Sequence, residues 1–168
     1  GESQNARTNR AAFLHVVSGL QSFDLNAGAR IEDNESFGNT STWQIGASWR
    51  YAEGGRLRAS AGTGIKEPTF FENYATGFTI GNPNLKPERS SSWEAGWEQG
   101  LLGDVLHFSG VWFDQKFQDL IQYTFSPPNA GDPNYFNVAE ASARGFEASI
   151  NVSSGALTAG TGSRSWSL

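Results

Sequence analysis

The stretch STWQIGASWRY, residues 41–51, sets Trp43, Ile45, Ala47, Trp49 and Tyr51 against Thr42, Gln44, Gly46, Ser48 and Arg50. A repeat of two puts these sets on opposite faces of a β-strand, one oily and one polar. The same design recurs on either side. In SFDLNAGARIE, residues 22–32, Phe23, Leu25, Ala27, Ala29 and Ile31 oppose Asp24, Asn26, Gly28, Arg30 and Glu32. Residues 56–64 alternate Leu57, Ala59 and Ala61 with Arg58, Ser60 and Gly62. Residues 90–99 alternate Trp93, Ala95 and Trp97 with Glu94, Gly96 and Glu98. Residues 104–115 carry Leu106, Phe108, Gly110 and Trp112 on one face, and residues 143–152 carry Phe146, Ala148, Ile150 and Val152. With less regular segments at 10–18 and 156–163, the expectation is an all-β antiparallel meander of about eight strands.

Composition agrees. Among 168 residues there are 20 Gly, 12 Phe, 6 Trp and 4 Tyr, and no Cys. Rings and glycines suit pleated sheet better than helix. The absence of cysteine removes disulfides, thiolate nucleophiles and Cys-based metal sites. His15 and His107 leave little for a His-based one, so neither metal nor cofactor is expected. The net charge of −5 comes with scattered cations, which offers no footprint for a nucleic acid backbone. The longest apolar run, AAFLHVV at 11–17, is far short of the roughly 18–20 residues of a membrane helix. A membrane-spanning strand needs only about 9–11 residues with one apolar face, and that fits a mean hydropathy of −0.45.

The links between strands alternate. Short ones at 19–21, 53–55, 100–103 and 153–155 are interleaved with wider ones at 33–39, 64–89 and 116–142, as in barrels with small periplasmic turns and larger outer loops. Trp43, Trp49, Tyr51 and Trp112 lie near strand ends, where rings anchor at a membrane interface. In lipid a sheet must close, because each unsatisfied backbone group costs several kcal/mol. Eight strands could close as a small barrel, but the long link at 64–89 and the lack of a convincing terminal strand make a section of a larger barrel the expectation.

Four elements carry a family resemblance: Ile65-Lys66-Glu67-Pro68 with GNPNLKPE at 81–88; Ser92-Trp93-Glu94-Ala95-Gly96; FDQKFQDLIQY at 113–123; and YFNVAEASARGFEASI at 135–150. In this order they resemble TonB-dependent outer-membrane receptors, particularly cobalamin and siderophore receptors. The resemblance implies a 22-stranded barrel around a plug domain, energised through a TonB box, which takes up a scarce nutrient in a Gram-negative-type outer membrane. It departs from that pattern in showing no plug, no TonB box and no terminal strand ending in an aromatic residue. Residues 1–168 are thus expected to be a partial barrel domain that needs outer-membrane lipid, the remaining barrel and plug, and the TonB energising complex. An alternative from another class is a structural accessory subunit of a membrane complex, without transport. No nucleophile elbow or convergent carboxylate pair points to an enzyme.

The expected ligand contacts are Tyr74, Phe78, Asn82, Tyr135 and Phe136, placed in the outer loops, where rings give contact area and an amide gives orientation. Structural roles fall to Pro68, Pro83 and Pro87, which restrict the long loop, and to Gly81, Glu88, Glu94 and Gly96. Gly145 is expected to allow a close approach on the polar face, with Arg144 and Glu147 pairing along it.

Overall fold

The computed structural model describes residues 6–103 and 105–153. Seven strands, β1 (Asn9–Leu20), β2 (Phe23–Asn34), β3 (Gly38–Ala52), β4 (Gly55–Lys66), β5 (Glu88–Leu101), β6 (Leu106–Tyr123) and β7 (Tyr135–Val152), form one sheet in sequence order. Every neighbouring pair is antiparallel. Among the described residues one short helix, α1 (Phe70–Tyr74), lies between β4 and β5. The expected strand at 156–163 lies outside the described residues.

One rim carries short turns. Residues 21–22 join β1 to β2, with Gln21 at φ 46°, and residues 53–54 join β3 to β4, with Gly54 at φ 67°. The opposite rim carries residues 35–37, 67–87 and 124–134. Two expectations change here. The link at 33–39 is not wide: β2 and β3 pair out to Asn34 and Gly38, and the Asn34 carboxamide oxygen accepts from the Ser36 and Phe37 amides to close a tight turn. The loop at 116–142 shrinks to 124–134, because β6 and β7 continue pairing to Tyr123 and Tyr135. Tyr135 and Phe136 therefore begin a strand and are not loop residues.

The sheet has no dry interior. Among the described residues the buried ones are Leu85, Pro68, several glycines and Asn34, Asn73 and Asn134. Phe23, Ile45, Trp97 and Phe146, whose convergence would mark a soluble core, all face outward, and Phe146 is 64% exposed. Two aromatic tiers border the apolar face. Near the short turns Phe23 stacks on Trp49 at 5.6 Å, Trp49 meets Tyr51 edge-on at 6.0 Å, and the Trp97 indole donates to the Tyr51 hydroxyl at 2.9 Å. Toward the loops stand Trp43, Trp93 and Trp112.

The apolar band crosses the rows of paired residues obliquely. The row Ala27, Ile45, Ala61 and Trp93 is apolar on β2 to β5 but continues as Asp114 on β6 and Arg144 on β7. On β2 the band rises past that row to Ile31, whereas on β6 it stops below it at Trp112. At the other edge, the row of Phe23, Trp49, Leu57 and Trp97 closes the band on β2, while on β6 the band continues beneath it to Leu106. The edges slide by about one to one and a half residues per strand, which for strands roughly 4.8 Å apart with a 3.3 Å rise is a tilt of about 35–45°. That is the tilt of strands in membrane barrels, and the apolar stretch of β2 or β3 then spans about 20–25 Å along the barrel axis, the height of their lipid-facing band.

Most charges of the polar face are paired within it, Glu94 and Glu147 being the carboxylates on β5 and β7 without an ion pair among the described residues. Arg30 pairs with Glu32 at 2.6 Å, Arg50 with Asp24, Arg56 with Glu98 at 2.8 Å and Lys66 with Glu88 at 3.2 Å. Arg58 lies 3.5 Å from Glu98 and passes directly over Gly96, where a Cβ would sit 2.7 Å from its Nε. Gly145 likewise leaves space for the Phe113 ring, 2.9 Å from a built Cβ. The expected Arg144–Glu147 pair does not form, because an odd separation on a strand puts the two on opposite faces. Arg144 stands on the apolar side with Phe146.

Candidate functional site

The loop rim gathers the residues singled out in the sequence. Pro68 is fully buried and fixes the exit from β4. Thr69 then caps α1: its hydroxyl accepts from the Glu72 amide at 3.2 Å while the Glu72 carboxylate accepts from the Thr69 amide at 2.7 Å, a reciprocal capping box. Beyond the helix the chain doubles back. The Gly81 amide donates to Ala75 O and the Asn82 amide to Glu72 O, both at 2.8 Å. At Gly81 a Cβ would lie 2.6 Å from three backbone atoms of residues 73–75, so only glycine permits this approach.

Three asparagines fasten this loop to the one between β6 and β7. Asn82 donates to Tyr135 O at 3.0 Å and accepts from the Asn84 amide at 3.0 Å. Asn134 accepts from the Ile80 amide and donates to Thr124 O, each at 2.8 Å. Asn137 accepts from the Lys86 amide at 2.9 Å and donates to Asp119 O at 2.6 Å. A carboxamide carries both a donor and an acceptor, so each substitutes for a missing strand partner. Glu88 adds a fourth link by accepting from the Ile121 amide at 2.9 Å. Pro83 is exposed and Pro87 partly covered along this path.

A second fastening runs toward β1 and β2. Asn34 is 1% exposed and donates to Glu67, which also accepts from Arg7 at 3.3 Å. The Arg7 guanidinium sits between two rings, 4.6 Å from the Phe37 centroid and 4.9 Å from that of Phe70. These cation–π contacts hold α1 over the polar face of the sheet.

An aromatic surface results. Tyr135 meets Tyr123 at 5.1 Å and Phe71 at 6.3 Å, and Tyr123 meets Phe125 at 4.9 Å. Tyr74 stacks on Phe70 at 6.4 Å. Phe78 and Phe125 project into solvent, 93% and 83% exposed. Burial, reinforced by Glu72, raises the Tyr135 phenol above its usual pKa. Of the expected contacts, Tyr74 and Tyr135 belong to these ring pairs, and Phe78 makes no ring contact but stands beside Thr79, whose hydroxyl lies 3.5 Å from that of Tyr123. Phe136 points to the opposite face, and both ends of the Asn82 amide are engaged within the protein. Sequence reading passed over Tyr123, Phe125, Arg7, Asn34, Asn134 and Asn137. Asparagines beside turns, as in DNES at 33–36 and DPNYFN at 132–137, were the available signal for the last three.

A profile described as TonB dependent receptor-like, beta-barrel matches residues 2–168. The chain belongs to this family. Its members are transport proteins of the Gram-negative outer membrane and not enzymes. The siderophore receptor PirA from Pseudomonas aeruginosa superposes with a TM-score of 0.73 at 22% identity, covering 84% of this chain and 28% of that one. PirA from Acinetobacter baumannii gives 0.71 at 20%, covering 89% and 26%. The FrpB iron transporter from Neisseria meningitidis gives 0.66 at 16%, covering 89% and 24%. At these identities the likeness establishes the fold, and the chain spans about a quarter of the length of the solved structures it matches. The seven-stranded sheet is thus a section of a TonB-type barrel wall.

Proposed function

We propose that this chain forms part of the wall and outer rim of a receptor for energy-dependent uptake of a small metal chelate of the siderophore type. In this reading residues 1–168 are a partial barrel domain, and the plug and TonB-contacting segment belong to the rest of the receptor. The observation that carries it is the division of the sheet: an oblique apolar band outside, paired charges inside, and an aromatic surface joined to the inner side of the loop rim. The paired inner charges suit a protein-filled lumen, since each neutralises its neighbour without water. Phe78, Phe125, Tyr74 and Tyr123 supply rings for a chelate, whereas Asn82 holds the loop.

The test uses the full-length receptor in cells dependent on it for iron. Uptake of a radiolabelled ferric chelate is expected, with abolition when the TonB protein is deleted. Replacing Phe78 and Phe125 by Ala is expected to weaken binding about fivefold per ring. Uptake independent of TonB would contradict the reading. An 18.2 kDa species extracted from the membrane in a stable complex with other proteins would favour an accessory subunit.

A further inference from the structure

All six ion pairs among the described residues lie on the polar face or in the loop above it. The outward face has none, yet it carries Arg10 on β1 at the far edge and, on three successive strands, Arg89 on β5, Lys116 on β6 and Arg144 on β7, all exposed. Arg89 is paired in register with Gln118, two residues above Lys116, and Lys116 with Ser142, two residues above Arg144. The cations on β5 to β7 therefore descend by two residues per strand, somewhat more steeply than the apolar band slides, and form a gently sloping arc. Diagonal neighbours of this kind have Cβ atoms within about 7–8 Å, which leaves a phosphate room between two cations.

The arc stands above Trp93, Trp112 and Phe146 by about 5–10 Å, allowing for strand rise and tilt. That is about the depth of a bilayer headgroup layer. A shallow groove of about 290 Å³ opens at this height, lined in part by Trp43, Ile65, Ser91, Arg89, Lys116 and Gln118. Two carboxylates stand beside the arc, and a third, Asp33 on β2, faces outward away from it, in register with Arg10. Asp114 stands in register with Arg144, and Glu140 in register with Gln118, but neither comes within 4.0 Å of a cation there. The arc keeps a net positive charge.

We propose that Arg89, Lys116 and Arg144 hold the phosphates of outer-leaflet lipid headgroups against the barrel wall, with the groove and aromatic tier taking the adjoining apolar portion. The inference rests on the outward face meeting lipid, as in the function proposed above, and not on which solute is transported. Charge complementarity selects the occupant: only a phosphorylated amphiphile offers anions at the arc and hydrocarbon directly beneath.

Full-length receptor is extracted in mild detergent, and bound phosphorylated lipid per receptor is read by native mass spectrometry. Delipidated receptor is then titrated with vesicles of phosphatidylcholine alone or with phosphatidylglycerol, with and without inorganic phosphate. The R89Q/K116Q/R144Q receptor is expected to lose retained lipid by about fivefold per cation, while R56Q/R58Q on the inner face retains it. Retention unchanged in the triple variant, or lost equally in R56Q/R58Q, overturns the proposal. Displacement by inorganic phosphate at concentrations matching the lipid also overturns it in favour of a free anion. If the triple variant fails the folded-mobility gel assay, Lys116→Gln alone is read, with about a fivefold loss expected. Loss of chelate uptake with normal lipid retention would remove the transport reading and leave this one standing.

Discussion

Ala59 and Ser60 are adjacent on β4 and face opposite ways, so the same substitution at each measures what the two faces meet. Ala59 lies near the middle of the apolar band, between Ala47 on β3 and Ala95 on β5. Ser60 faces inward, in register with Gly46 and Glu94. Arginine at the midplane of the lipid face of such a barrel costs about 2–4 kcal/mol, so Ala59→Arg should lower the folded-to-unfolded ratio by about 30- to 1,000-fold. Ser60→Arg places the cation beside Glu94, for which no ion pair is found, and its effect should stay within about 1 kcal/mol. The assay is refolding of the full-length receptor into lipid vesicles across a urea series, with the folded fraction read from gel mobility without heating. A cost at Ser60 equal to or above that at Ala59 would refute the orientation of the sheet.

Three further outcomes follow from the rim. Gly81→Val drives side-chain atoms into the backbone of residues 73–75, so it should abolish chelate binding while leaving barrel folding intact, as checked by proteolysis of residues 67–87. Asn34→Ala leaves Glu67 short of a donor and the 35–37 turn without its acceptor. It should cost about 1–3 kcal/mol locally, seen as faster amide hydrogen exchange at Ser36 and Phe37. Arg7→Ala removes the cation held between Phe37 and Phe70 and should speed exchange across α1, with β5 and β6 unchanged.

The sequence made the lipid-bathed part of each strand legible and little beyond it. Alternation marked residues 104–115 and 143–152, but β6 runs to Tyr123 and β7 starts at Tyr135. The additional residues include Lys116, Gln118, Glu140 and Ser142 on the outward side, where lipid no longer enforces an apolar side chain. Pairing persists above the band while the pattern that advertises it does not. The short link at 35–37 was hidden for a related reason: DNESFGN at 33–39 holds only polar, turn-forming and aromatic residues, and nothing in that composition reveals that Asn34 closes the turn and joins Glu67. The aromatic surface was partly legible through Tyr74 and Tyr135. Tyr123 and Phe125 completed it only because pairing of β6 with β7 brings sequence-distant rings together. Arg144 was assigned a partner it cannot reach, since the motif invited a pair that the strand repeat of two forbids.

The described strands contain no cysteine, so single cysteines introduced one at a time along β2 to β6 can carry spin labels in the full-length receptor reconstituted in lipid. Collisions with lipid-soluble oxygen, compared with a water-soluble nickel chelate, then report the depth and face of each position. Oxygen access should peak at alternate residues, including Phe23, Ile45, Ala59, Trp97 and Trp112, and its centre should slide by about one to one and a half residues per strand. Equal access on both faces, or a centre that stays in one row of paired residues from β2 to β6, would contradict a tilted barrel wall.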